Sequence, residues 1–172
     1  MDGMVRIIYV SSSVFPQSDL VGLSYLVTSA LLVSHGIRRD TVFVYGPVGK
    51  GSRYLVVYGD SVRNLRPDVE SALPLILKAL KGRTKWGIVL RTEVSFKVDS
   101  VLVYGAHGLE LEESVRRVCR VRDVGFAIAD ISDVDEVFRY DSLINATLTP
   151  NVYDFCQVIT IFHYLLDYYH SS

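Results

Sequence analysis

Arg38 and Arg39 stand side by side just ahead of an apolar run, where fixed guanidinium forks have the donors to hold phosphates or a flipped-out nucleotide. Solvation of an ordinary surface is the competing reading of that pair. Arg63, Arg66, Lys78, Lys81, Arg83 and Lys85 add a basic margin, although a solvated helix face accounts for the last four equally well. Arg116, Arg117, Arg120 and Arg122 are denser still, but Glu110, Glu112, Glu113 and Asp123 lie near enough to pair with them, and the cluster reads as surface. Cys119 and Cys156 fall in no metal-ligand spacing, so buried thiols are expected and no metal centre. Gly46-Pro47-Val48-Gly49-Lys50-Gly51 has the glycines of a phosphate loop but leads into a strand-like run, leaving no helix N-terminus to cradle a phosphate; it reads as a turn. His35 sits where a helix C-terminal dipole favours it, and His163 where a core histidine is expected; neither is assigned catalysis.

These side chains need elements to position them. Val5 to Val10 and Thr41 to Tyr45 are short apolar runs of buried-strand type, and between them Leu20, Leu23, Val27, Ala30 and Leu31 recur at helical spacing. Ser18 or Asp19 can cap that helix, and Gly36 lies just past its expected end. Strand, helix, strand in this order predicts a right-handed crossover between parallel strands. Arg53 to Tyr58 should return as an antiparallel hairpin partner. Asp68 caps a helix ending at Gly82, with Pro74 expected in its first turn or at its true start. Short runs at Gly87–Leu90, Val101–Tyr104, Phe126–Ala129 and Ala146–Leu148, alternating with a helical stretch near Glu110–Arg117, complete an α/β pattern. Val152 to Tyr169 is apolar nearly all round, more than one sheet can cover, which favours a subunit interface.

With 172 residues and 49% hydrophobic content the chain is read as one domain, 1–172. The start lacks a leader pattern and no segment has the length of a membrane span, so a soluble cytoplasmic protein is expected. Eighteen Lys and Arg against nineteen Asp and Glu give a net charge of -1, so any nucleic-acid contact must come from a local basic face and not from bulk charge.

Two stretches carry more. Ser34-His35-Gly36-Ile37-Arg38-Arg39-Asp40 resembles the S-H-x-I-R-R-D signature of the archaeal tRNA pseudouridine-54 N1-methyltransferases of the SPOUT superfamily. Thr147-Leu148-Thr149-Pro150 followed by Ile159-Thr160-Ile161-Phe162-His163-Tyr164-Leu165-Leu166-Asp167 is similar to that family's S-L-S-P loop and its I-T-I-I-H-x-x-L-D helix. Gly87-Ile88-Val89-Leu90-Arg91 and Tyr104-Gly105-Ala106-His107-Gly108 resemble its G-I-x-V-R strand and L-x-x-x-G loop.

The resemblance implies a SPOUT-type parallel sheet with helices on both faces and a C-terminal trefoil knot, a homodimer, and S-adenosylmethionine held by three loops. Those loops would supply Tyr104, Gly108, Ala129, Asp130, Ile131, Leu148, Thr149, Pro150, Asn151, Val152 and Tyr153, with Val158 behind them. Arg38, Arg39, Arg63 and Arg66 would contact tRNA, and Asp19 would take the proton of pseudouridine N1, against a plain helix-capping role. Ala129 stands where the family has Gly, Val158 where it usually has Cys, and Gln17-Ser18-Asp19-Leu20 replaces its G-R-x-D stretch. Three activities follow as expectations: methylation of pseudouridine in the T-loop, methylation at another RNA position, or an RNA-binding or assembly role without methyl transfer.

Overall fold

A computed structural model of the chain describes residues 3–34, 36–150 and 153–172. His35, Asn151 and Val152, named above, lie outside the described residues. The chain begins with β1 (Val5–Ser11), α1 (Leu20–Leu31), the two-residue strands β2 (Leu32–Val33) and β3 (Gly36–Ile37), β4 (Thr41–Val48) and β5 (Arg53–Tyr58). It continues with α2 (Val69–Leu80), β6 (Ile88–Arg91), β7 (Phe96–Glu110), α3 (Leu111–Val118), β8 (Asp123–Ile128), α4 (Ile131–Val137), β9 (Phe138–Thr147) and α5 (Phe155–His170).

Seven strands form one sheet in the order β6-β5-β4-β1-β8-β7-β9. The sheet is mixed: β4, β1, β8, β7 and β9 run parallel, whereas β5 pairs antiparallel with both β4 and β6. The hairpin expected from Gly46–Gly51 accounts for the first reversal. Because β1 is covered on both faces, its apolar run is nearly continuous, and only Val5 of the strand is exposed.

The sheet cannot be flat. Only residues 92–95 link β6 to β7, roughly 18 Å of extended chain. Five strand spacings separate β6 from β7, about 24 Å in a flat sheet. Twist and curl must bring those strands together, and the aromatic cluster on the inner face reflects it: Tyr9 meets Tyr54 at 6.5 Å and Phe138 at 6.3 Å between ring centroids.

Helices lie on both faces, unevenly. The core formed with α1, α2, α3 and α5 contains Ile8, Val10, Leu26, Leu31, Phe43, Ile76, Val115 and Phe162, with Phe126 of β8 stacked on Phe162 of α5 at 4.3 Å. The opposite core has α4 as its helical cover, through Val134 and Val137.

Three expectations need correction. First, α1 stops at Leu31 and not beside Gly36, because the β-branched and apolar residues that follow turn extended and pair Leu32 with Ile37 and Val33 with Gly36. The Leu31 carbonyl accepts instead from the Arg38 N–H at 2.6 Å. Second, Pro74 lies well inside α2, whose N-cap Asp68 accepts from the Ser71 N–H at 2.8 Å. Pro74 and Glu70 are both exposed, so water can serve the carbonyl that the missing N–H leaves open. Third, the run read as Val101–Tyr104 is part of a much longer strand, β7, and the run read as Ala146–Leu148 is the end of another, β9, which stops at Thr147. The first half of β9 is an edge segment with Arg139, Asp141 and Ser142 exposed, so its hydrophobic signal is weak.

No helix among the described residues is long and apolar enough to cross a membrane.

Candidate functional site

Parallel strands deliver their chain ends to one edge of the sheet, and where neighbouring connections leave in opposite directions a crevice opens. From β1 the chain moves through α1 to β4 on one side, whereas β7 and β9 lie on the other side of β8. At the carboxyl ends of β1, β7 and β8 lies a cleft of about 300 Å³ lined by Val14, Tyr104, Gly105, Ala106, Ile128, Ala129, Asp130, Tyr153 and Phe155. Its walls are mostly apolar side chains and glycine or alanine backbone, with the Asp130 carboxylate as its ionisable acid.

Each wall has a local cause. In β7 the pairing with β9 slips between Tyr104 and Leu109, so residues 105–108 bulge out of the ladder toward the cleft. Gly108 permits the bulge: its φ is 152°, and a Cβ there would lie 2.4 Å from the Asn145 carbonyl oxygen. Asp130 is the N-cap of α4, and Ile131 follows it, 48% exposed. The loop after β1 is tied to α4 by Asp133, whose Oδ2 accepts from the hydroxyls of Ser11 and Ser13, each at 2.8 Å. Thr149 is fastened to the end of β7, its N–H and Oγ1 both donating to the Glu110 carboxylate. Below α5's first turn, Asp154 and Gln157 cap each other's backbone N–H in a capping box.

Of the residues expected to hold a cofactor, Tyr104, Ala129, Asp130 and Tyr153 come together in the cleft. Gly108, Ile131, Leu148, Thr149 and Pro150 belong to the loops that flank it, and Val158 is fully buried in the α5 core. Tyr104 is buried, which pushes its phenol above the usual range. Sequence reasoning missed Val14, Ile128 and Phe155. Val14 follows the Ser11–Ser13 run at the end of β1, and the strand-end rule would have flagged it; Phe155 had been absorbed into the apolar stripe of the last helix.

Asp19 is exposed and caps α1, its Oδ1 accepting from the Gly22 N–H at 2.8 Å. It does not line the cleft.

The predicted arginines separate. Arg38 is folded inward: its side chain is 14% exposed and its two terminal nitrogens donate to Asp167 at 3.3 and 2.9 Å. Its fork is therefore filled, and this corrects the expectation that it stands open for a phosphate. Arg6, also buried, bonds Asp167, pairs with Asp40 at 3.2 Å and reaches His163 Nδ1 at 3.1 Å. His163 Nε2 faces the Ala30 carbonyl at 2.9 Å. A carbonyl only accepts, so Nε2 carries the proton and Nδ1 accepts from Arg6. Burial, aided by Arg38 and Arg6, pushes His163 down to about 3, so the ring is neutral. Burial works against the Asp167 carboxylate, but the hydrogen bonds from Arg38 and Arg6 outweigh it and hold it below its ordinary value. Arg39 is exposed and, among the described residues, donates to the neutral Asp60 carbonyl at 3.1 Å; with Arg63 it lines a separate groove. Arg66 is exposed.

No protein-family model matches the chain, and neither does any curated protein sequence. Among solved structures, the chain is similar to the crystal structure of Archaeoglobus fulgidus Nep1 bound to S-adenosylhomocysteine. The likeness has a TM-score of 0.58 at 12% identity and covers 99% of this chain and 100% of that one. The fold is SPOUT-like. Coverage this complete, at so low an identity, means that the fold is shared while most side chains are not. Within the SPOUT-like frame, the β7 bulge, the β8–α4 turn and the loop before α5 are the parts that meet in the cleft.

Proposed function

We propose that residues 1–172 act as one SPOUT domain, with the implied C-terminal knot, that binds S-adenosylmethionine in the cleft and methylates RNA. One observation carries the reading: the three loops singled out in the sequence meet at the carboxyl ends of β1, β7 and β8, in a fold matched end to end by a protein bound to S-adenosylhomocysteine. The cleft fits such a group. Its volume lies at the small end of ligand sites. Tyr104, Ile128, Ala129 and Phe155 offer apolar surface for a purine, the exposed backbone at Gly105 and Ala106 offers hydrogen bonds, and Asp130 offers a charge partner for a cationic group.

The bound group supplies an electrophilic methyl. The chain's task is alignment and exclusion of water, because in-line displacement gains most from fixed geometry. Tyr104, Ala129, Asp130 and Tyr153 would hold S-adenosylmethionine, whose methyl group would go to N1 of pseudouridine in the T-loop of tRNA, and Asp19 at the α1 N-cap would take the N1 proton. Arg39, Arg63 and Arg66 hold the RNA. The protein works as a cytoplasmic homodimer, with the outer face of α1 and α5 as the seam: Val21, Tyr25, Tyr164 and Tyr168 are exposed by 46, 48, 66 and 57%.

Calorimetric titration with S-adenosylmethionine and S-adenosylhomocysteine tests this, with Ala129→Gly alongside. Saturable binding by the native chain is expected. A specific observation favours a second reading: the Ala129 methyl lines the cleft at the position where the resembling family has glycine. Binding recovered only in Ala129→Gly would therefore mean an RNA-binding module that has lost methyl transfer.

A further inference from the structure

A second concave surface lies at the other end of the sheet. β1 and β4 run parallel, with Arg6 opposite Thr41 at their starts and Ser11 opposite Gly46 at their ends, so the cleft and the start of β4 are separated by the length of the strands. At that far end a groove of about 530 Å³ is lined by Arg39, Asp60, Ser61, Val62, Arg63, Trp86 and Gly87.

Trp86 is there against its conformational preference. Lys85 and Ile88 exchange both backbone hydrogen bonds, each at 3.2 Å, closing a two-residue turn. The corner residues Trp86 and Gly87 have φ of 47° and 80°, both left-handed as in a type I′ turn. Glycine suits the second corner, where a Cβ would lie 2.6 Å from the Val62 nitrogen. The first corner ordinarily takes Asn, Asp or Gly; a bulky side chain there is strained. The result is an indole held 43% exposed at the tip, with the Lys85 ammonium 4.2 Å from its centroid.

Charge around the indole is mostly positive, with Arg39, Arg63 and Lys85 against Asp60. Arg39 is held by a backbone carbonyl, which orients its guanidinium without neutralising it. Among the described residues Arg63 makes no ion pair. Asp60 is the acid of the groove, and its Oδ1 accepts from the Ser61 hydroxyl at 2.6 Å. An exposed indole with Lys85 over its ring, and Arg39 and Arg63 beside it without ion pairs among the described residues, has the chemistry to take an unpaired nucleotide: the base replaces the ammonium on the ring and the phosphates meet the cations.

We propose that this groove binds single-stranded RNA, one base stacking on Trp86 and its flanking phosphates held by Arg39, Arg63 and Lys85. The inference rests on the RNA half of the proposed function and extends it. Since the stretch of β4 from Thr41 to Gly46 alone spans roughly 17 Å, the nucleotide held here is not the one that would be methylated on the same protomer; the groove anchors a remote part of the RNA.

Trp86 is the chain's one tryptophan, so its fluorescence reports the contact directly. Full-length protein titrated at low salt with a short single-stranded oligoribonucleotide should show saturable quenching. Labelled RNA should bind at least tenfold more weakly to Trp86→Asn and near normally to Trp86→Phe. Trp86→Asn should also melt at higher temperature than the native chain, because asparagine accepts the left-handed corner; a weaker binder that is a more stable protein separates stacking from misfolding. Arg63→Gln should lower the salt dependence of binding by about one ion. Absent quenching, unchanged RNA affinity in Trp86→Asn, or equal quenching by a polyglutamate peptide would overturn the proposal. S-adenosylhomocysteine titration of the same preparation keeps the readings apart: quenching without cofactor binding supports the groove and overturns the methyltransferase.

Discussion

Two adjacent arginines have opposite fates, and burial decides between them. Arg38 closes on Asp167 beside the neutral His163, while Arg39 remains outside on a carbonyl. The buried histidine has a measurable consequence. An unfolded chain takes up a proton on this imidazole near its ordinary value of 6.5, but the folded chain does so only near 3. The group's folded value is depressed, so the unfolded state binds more protons across that window and stability falls as pH falls through it, by about 1.4 kcal/mol per pH unit. Urea unfolding from pH 7 to pH 4 should show this slope, and His163→Gln should flatten it. Asp167, also depressed, adds its own loss at still lower pH. At Asp19, the cap and the proposed proton transfer can be separated. Asn caps a helix as well as Asp does, so Asp19→Asn should leave the melting temperature near that of the native chain while methyl transfer falls about a hundredfold or more. Unchanged turnover would leave Asp19 as a cap alone.

At the scale of elements, the bulge in β7 connects strand pairing to the cleft. Gly108→Ala would place a methyl against the Asn145 carbonyl in a backbone region that alanine rarely adopts. The bulge must then shift or β9 must move away, at a cost of about 1–3 kcal/mol or more. Chemical denaturation should register that loss, and cofactor affinity should drop with it because Gly105 and Ala106 ride on the same bulge. Several elements were legible beforehand for simple reasons. Asp68 and Gly82 bracket α2, and the glycine-rich turn after β4 imposes a hairpin. Others were not. The start of β9 alternates too weakly to stand out. The β2–β3 pair depends on four residues whose pairing is set by where the chain must turn toward β4.

For the whole molecule, α5 is the element most at odds with a lone subunit. Its inner stripe, Val158, Ile159, Phe162 and Leu166, is fully buried, yet Tyr164 and Tyr168 stack on each other at 6.4 Å on the outside. If that face is the dimer seam, sedimentation of the native chain should show twice the mass of one chain, and Tyr164→Glu should yield monomers without unfolding them. A native monomer would sink the assignment. The chain's near-zero net charge has a related meaning at this scale: the proposed RNA affinity must come from where charge is left unpaired and not from the total, and the fold leaves Arg39 and Arg63 open while closing Arg38.

What the sequence determined by itself was local and periodic: apolar runs of strand length, helix caps, the hairpin, and four short motifs in order. Such signals survive in one dimension because hydrogen-bond geometry and side-chain period act over a few residues. Tertiary structure alone decided the rest. Val14 and Phe155 reach the cleft from segments 141 residues apart, Arg38 meets an aspartate 129 residues away, and Trp86 becomes a groove wall only when the turn of residues 60–63 packs beside it. Nothing in the chain near any of these residues encodes its partner; the curl of the sheet and the order of its strands bring them together.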